Sequence, residues 1–434
     1  MPSIPVLKIF FFIFGIFSLG FISFSSAQEF PELGIKVETV AENLKIPWEI
    51  DFAPDGRIFF TERIGNLRTV ENNLVSEPIV SLKVSGSEGG LLGLALDPNF
   101  EENHFLYLYY SYSDFFDIYN RVVRYVESDN KLSHETILLD KIPGSHIHDG
   151  GRIKFGPDGK LYITTGDAAN SKTAQNLDSL AGKISRINSD GTIPEDNPFP
   201  NSPIYSLGHR NPQGIDWHPD SGILVETEHG PSGERGNAHD EVNVILPGKN
   251  YGWPTIVGDD TSEGFVNPIL HTGDDAWAPS GSVFYNSDKI SEWYGKYFIA
   301  TLRGNHLRML DLDLENNLVI SSNALLDGEF GRLRSVNVSP DGYLYILTSN
   351  QDGRGIPTHN DDRILRIVPL ESNVEKGDSS LSPLKQLKSG VLPQNVSCKE
   401  GLELIFKINS FHPVCVKSES ITKLVNRGYS SSLD

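Results

Sequence analysis

The chain has 434 residues and a formal net charge of −20. So acidic a balance argues against nucleic acid and against an anionic membrane surface as partners, since both carry charge of the same sign. With Gly 40 and Pro 26, and aromatic and β-branched residues in short runs, the composition points to an all-β protein able to bury a large core.

The N-terminus carries Lys8, an apolar run from Ile9 to Phe24, and then Ser25-Ser26-Ala27. This pattern predicts a secretory signal peptide over 1–27, cut after Ala27, and a secreted or extracytoplasmic mature chain. The alternative is an uncleaved anchor, because the run is only slightly shorter than a spanning helix. No later stretch could span a membrane, so no stable insertion is expected once the signal is removed.

From there one phrase recurs: an apolar or aromatic residue, a proline two residues on, a turn, then an alternating strand. It occurs at Phe52-Ala-Pro54, Leu96-Asp-Pro98, Phe155-Gly-Pro157, Trp217-His-Pro219, Trp277-Ala-Pro279 and Val338-Ser-Pro340. Intervals of about 45 and then about 60 residues leave room for four strands and a long loop per unit. The repeat predicts a six-bladed β-propeller over 28–370. Its last strand, near Asp362–Val368, should pair with the N-terminal segment Ile35–Val40 and close the ring. Beyond it, 371–396 is Ser-, Lys- and Pro-rich and reads as a linker. Residues 397–434 read as a small C-terminal module with a helix from Ser420 to Arg427. Cys398 and Cys415 are the only cysteines. An even count in an exported chain predicts a disulfide between them.

The residues with chemical potential stand on polar, Gly-rich stretches between strands. The first is His148-Asp-Gly-Gly-Arg152, followed by a strand pair that ends at Asp167. A lone His near an Asp is more often structural than catalytic. Arg210, Arg303, Arg332 and Arg334 come from at least three of the repeats. In a ring they could converge at one end of the channel, where guanidinium forks suit planar carboxylates. Taken singly, each is more often a surface ion pair. Acidic residues around Gly230-Pro231 and Tyr251 offer hard oxygen ligands of the kind Ca²⁺ takes, without EF-hand spacing.

In motif order, Pro47-Trp48, Glu62-Arg63, Glu88-Gly-Gly-Leu-Leu-Gly93, His148 to Asp167, Gly208-His-Arg-Asn-Pro-Gln-Gly214, His229-Gly-Pro231, Asp240-Glu241 and Asn250-Tyr-Gly-Trp-Pro254 resemble the soluble quinoprotein sugar dehydrogenases. These are the PQQ-dependent glucose and aldose (glucose/sorbosone) dehydrogenases. The resemblance runs from about Leu44 to Val368 and implies a six-bladed propeller that oxidises an aldose at its anomeric carbon to the lactone. It implies His148 as general base and Asp167 as its orienting carboxylate. Arg210 and Asn211 would reach the quinone and the reacting oxygen. Arg332 and Arg334 would hold cofactor carboxylates, and Arg303 stands where some members have Lys. The carbonyls of Gly230 and Pro231 would ligate the Ca²⁺ beside PQQ, and Asp240, Glu241 and Tyr251 fall where a second, structural Ca²⁺ lies. Glu88 departs from the Gln that members often carry near the cofactor. A carboxylate there is costly unless protonated or paired. The implied partners are an aldose substrate and an external electron acceptor. The rival readings are a propeller that binds without turnover and a calcium-dependent lactonase.

Overall fold

A computed structural model describes residues 27–231, 238–370, 378–389, 391, 393–407, 412–425 and 427–430. Nearly the whole expected signal peptide therefore lies outside the described residues. Among these residues no helix is long and apolar enough to cross a membrane.

Six antiparallel sheets of four or five strands follow one another along the chain. Their innermost strands are Pro47–Phe52, Leu91–Leu96, Ile153–Phe155, Pro212–Trp217, Pro279–Phe284 and Leu333–Val338. Each sheet packs against the next and the last returns to the first. Six apolar clusters fill the six interfaces, from Phe59–Leu94–Leu108 between the first two sheets to Ile50–Phe60–Leu347 between the last and the first. The last sheet is completed by the start of the chain. Ile35–Ala41 pairs with Ile364–Pro369, and Ala27–Phe30 adds an outer strand.

Five of the six proline phrases sit where an innermost strand ends. In Ala53-Pro-Asp-Gly56, Gly156-Pro-Asp-Gly159 and Ser339-Pro-Asp-Gly342 the glycine N–H closes a turn on the residue three before it. Gly56, Gly159 and Gly342 have φ of 89°, 70° and 86°, which an L side chain resists. The fifth phrase is different. Pro279 begins its strand, and the true counterpart, Phe284-Tyr-Asn286, has no proline. The repeat count is unaffected, but that copy is out of register.

Pairing within each sheet decides where the loops go. The start of each innermost strand lies against the end of the second: Pro47 faces Glu62, Pro212 faces Glu228, Pro279 faces Thr301 and Leu333 faces Thr348. Segments entering first strands and leaving second strands therefore share one end of the ring. Five of the six innermost strands also carry a register shift close to this end. Such bulges twist the strand and re-aim side chains.

The C-terminal residues build a separate three-stranded sheet from Glu403–Lys407, His412–Val416 and Tyr429–Ser430, with a helix over Ser418–Val425. A further helix, Pro383–Lys388, forms inside the stretch read from composition as linker. Its Gln386 is buried and ties the two ends of that stretch, donating to Leu381 O and Ser397 O and accepting from Ser397 N–H. Cys398 and Cys415 are bonded, with Cα atoms 5.5 Å apart. Replacing both by serine should destabilise this segment by about 3 kcal/mol, read as faster amide exchange over 378–430. Titration of the native, unreduced protein should find no free thiol, and two free thiols would contradict the pairing.

Candidate active site at one end of the ring

The stretch entering the third sheet places His148. Its φ is 62°, a costly conformation for a non-glycine residue. The backbone is held there by His148 N–H on Glu88 Oε2 at 3.1 Å and by Ala168 N–H on His148 O at 3.2 Å. The next residue but one must be glycine, because a Cβ on Gly150 would lie 2.8 Å from Thr164 O. Asp167, just past the second strand, meets the imidazole at 2.8 Å, Oδ1 to Nδ1. A carboxylate only accepts, so Nδ1 carries a proton and Nε2 points away from Asp167. Asp167 is itself fixed by Ala169 N–H on Oδ1 at 2.9 Å and by Trp253 Nε1–H on Oδ2 at 2.8 Å.

Arg210 and Asn211 enter the fourth sheet. The Asp167 N–H donates to Arg210 O, so they join the His148 loop directly. Glu228 Oε2 accepts both of their backbone N–H groups, at 2.6 and 3.3 Å. Arg210 Nη1 donates to His229 O at 3.0 Å, and its guanidinium lies 5.5 Å from the Trp253 ring centre. Burial lowers the Arg210 pKa against the pull of Asp167 and Glu228. Asn211 Oδ1 accepts Gly150 N–H at 3.0 Å, while its buried Nδ2 has no partner.

A cavity of about 180 Å³ is lined among others by Arg63, Glu88, His229, Arg334, Asp352 and Arg354. It meets the groups above through Glu88 and His229, not through His148, Asp167, Arg210 or Asn211 themselves. Arg332 grips Asp352 Oδ2 through Nε and Nη2, at 3.0 and 2.8 Å. Arg334 donates to Gln213 Oε1 at 2.9 Å, and its Nε has no partner. Burial, and then Arg63 nearby, pull its pKa down to about 9. Burial takes His229 down to about 4, and its Nε2 is also without a partner. Glu88, the unmatched carboxylate, is paired. Arg354 Nη1 reaches its Oε1 at 2.7 Å. Burial pushes Glu88 up, but Arg354 and the His148 N–H outweigh it and leave the carboxyl below its ordinary value. Arg303 is exposed and lines a neighbouring cavity of about 410 Å³ with Arg332 and Arg354, not the one beside His229.

The residues considered for metal stand in the fourth sheet and its loops. Gly230 N–H donates to Asp240 Oδ1 at 2.9 Å, and Asp240 Oδ2 accepts Trp277 and Ala278 N–H, both at 2.8 Å. The Tyr251 hydroxyl donates to Val244 O and accepts Leu246 N–H, leaving its carbonyl as the donor for a cation. Glu241 is pushed up to about 8 by burial and then by Glu228. Glu226, on the same sheet face and wholly buried, is pushed well above the carboxylate range by the same two causes.

Sequence reading did not find the partners that hold these groups. Trp253 was visible only as part of a motif, without a role. Asp352 and Arg354 lie in a Gly-rich loop that matched nothing.

Most of the chain is similar to known proteins. Residues 44–365 match the Glucose / Sorbosone dehydrogenase family. The aldose sugar dehydrogenase YliI of Escherichia coli is 33% identical over 364 residues, covering 78% of this chain and 96% of that one. Quinoprotein glucose dehydrogenase B of Acinetobacter calcoaceticus is 32% identical over 61% of this chain and 63% of its own length. The PQQ-bound structure of the aldose sugar dehydrogenase from Streptomyces coelicolor superposes with a TM-score of 0.68 at 35% identity, over 79% of this chain and 98% of that one.

Two expectations follow, the first resting on a catalytic role for the His148–Asp167 dyad. Trp253→Phe removes a hydrogen bond to the Asp167 carboxyl group. Turnover should fall on the order of tenfold, with no further loss when the change is added to Asp167→Asn. Additive losses in that cycle, measured by steady-state kinetics, would mean that Trp253 acts elsewhere. Because Glu88 has a lowered pKa in the folded state, its pairing stabilises above the unfolded carboxylate pKa and is lost as pH falls through the folded value. Glu88→Gln should therefore melt below wild type at neutral pH, with the gap closing below roughly pH 4. A gap independent of pH would contradict the ionised pair.

Proposed function

The chain belongs to the glucose/sorbosone dehydrogenase family, and from that premise we propose that it is an exported, six-bladed, PQQ- and calcium-dependent aldose dehydrogenase. The observation that carries the reading is the set of buried polar atoms left without partners at one end of the ring: Asn211 Nδ2, His229 Nε2 and Arg334 Nε. Buried polar atoms are costly when unpaired, and these lie toward the end of the ring that holds the His148–Asp167 dyad. An anionic, carboxylate-bearing cofactor suits them and suits the cations of Arg63, Arg332 and Arg334.

In this reading Arg332 and Arg334 hold carboxylates of the cofactor, with Arg303 at the rim and Glu88 beside them. Arg210 and Asn211 meet the end where the reaction takes place. Gly230 and Pro231 offer carbonyl oxygens to the adjacent Ca²⁺, and Asp240, Glu241 and Tyr251 surround a second, structural one. When bound, PQQ supplies the two-electron acceptor and Ca²⁺ the Lewis acidity that side chains lack.

The chain's own part is proton handling and placement. His148 Nε2 takes the hydroxyl proton at the anomeric carbon as hydride leaves that carbon. Asp167 keeps the proton on Nδ1 and stabilises the imidazolium that results. The Arg210 guanidinium, partly desolvated, faces negative charge as it develops. The product is the lactone, and an external acceptor removes the electrons.

The test is PQQ titration by absorbance beside dye-linked oxidation of an aldose panel, with Ca²⁺ present and then chelated. His148→Gln should bind PQQ nearly as wild type and lose about 10²- to 10⁴-fold in turnover. Arg210→Ala should lose both turnover and PQQ affinity. Chelation should lower the melting temperature and PQQ binding, and added Ca²⁺ should restore both. A wild type that binds PQQ without oxidising any aldose would favour the binding propeller, and undiminished turnover in His148→Gln would remove the mechanism.

A further inference from the structure

Behind Arg210 and Asn211, on the outer side of Glu228, lies a group of ligand-type residues that the proposed reaction does not use. Strand pairing builds it: Glu226 lies opposite Asn243, and Glu228 opposite Glu241. These side chains share one face of the fourth sheet, and His209 reaches the same point from the loop before it. His209, Glu226 and Asn243 are wholly buried, and Glu228 is 3% exposed.

The protein's own groups do not satisfy this cluster. Asn243 Nδ2 is the shared donor, lying 3.2 Å from Glu226 Oε2, 3.4 Å from Glu228 Oε1 and 3.2 Å from Glu241 Oε2. One amide has two hydrogens for three carboxylates. Glu226 Oε1 and Asn243 Oδ1 have no partner at all. Among the described residues the one ion-pair contact of these carboxylates is His209 Nδ1 on Glu228 Oε1, at 3.4 Å. Glu241 has the structural Ca²⁺ of the proposed function beside it, but Glu226 and Glu228 have no such cation, and burying unpaired carboxylates costs several kcal/mol per ion.

We propose that His209, Glu226 and Glu228, completed by the Asn243 carboxamide, form a buried site for a divalent transition-metal cation of the Zn²⁺ or Mn²⁺ class. One donor atom from each of His209, Glu226 and Glu228 lies within 4.8 Å of the others. Three ligands about 2.1 Å from one ion stand at most roughly 3.6 Å from one another, so inward shifts of up to about 0.7 Å per ligand close the set. The imidazole selects a first-row transition metal over Ca²⁺. Ser206 Oγ, 2.8 Å from His209 Nε2, is placed to accept that ring proton and free Nδ1 for the metal. Turning the Asn243 amide exchanges Oδ1 for Nδ2 without changing its shape. The other oxygen of Glu228 already holds the backbone of Arg210 and Asn211, so the ion would anchor the active-site loop from behind. The site does not rest on the proposed activity.

The test uses the full chain, stripped with chelator and held in excess Ca²⁺ so that hard-cation sites are filled. Added Co²⁺ should bind stoichiometrically, with a visible ligand-field band more intense than that of the aqueous ion. Zn²⁺ should abolish the band and further Ca²⁺ should not. Glu226→Gln, which keeps the shape, should weaken Co²⁺ binding on the order of 100-fold. If that variant fails to fold, the wild-type band and its competition by Zn²⁺ still decide. No band in wild type, or a band that Ca²⁺ removes, overturns the proposal and leaves a protonated or calcium-filled cluster. These readings involve neither PQQ nor an aldose, so they stand or fall apart from the dehydrogenase reading.

Discussion

Antiparallel pairing of the first two strands in each sheet is the constraint on which the rest depends. It brings the segment that enters a sheet and the segment that leaves its second strand to one end of the ring. His148 and Asp167 meet across such a pair in the third sheet, and Arg210 and Glu228 across the matching pair in the fourth. Residues far apart in sequence become neighbours without any long loop having to find its own way there. Loop chemistry on a rigid scaffold is how many enzymes place catalytic groups. In the fourth sheet a bulge between Pro212 and Gly214 adds a local twist next to Arg210 and Asn211, whereas the third sheet has none.

Burial of charge is the second organising feature. The Arg332–Asp352 and Glu88–Arg354 pairs draw partners from different loops, and Asp352, Glu88 and Arg354 line the cavity beside His229. Lowered pKa values at Arg210 and Arg334 report guanidinium groups removed from water without full compensation. Such groups bind an anion strongly because little water has to be displaced from them first.

Much of the ring was legible because its signal is local. The proline phrase is a turn device, and a turn is specified by neighbouring residues. The phrase failed at Trp277-Ala-Pro279, where the same three-residue pattern starts a strand instead of ending one, and only pairing with Thr301 reveals the difference. The dyad was legible through resemblance. Its supports were not, because Trp253 meets Asp167, and Arg354 meets Glu88, across spans of sequence that carry no period. Glu88 shows the limit well. A carboxylate beside a cofactor of like charge looks costly until its partner is known, and that partner sits on the far side of the ring's closure. In the buried His209–Glu226–Glu228 group the two glutamates stand two apart on one strand, but only the fold brings His209 to them from the preceding loop.

The closure has a consequence for biosynthesis. Ile35 and Val37 end up buried in the interface between the last two sheets, paired through a strand that is made near the end of the body. During synthesis at roughly 5–20 residues per second, the N-terminal strand waits on the order of tens of seconds for that partner. Throughout this wait it presents an unpaired, apolar edge of the kind that recruits other chains. The nascent protein therefore carries an unpaired apolar edge until its last sheet exists, and only closure of the ring removes it.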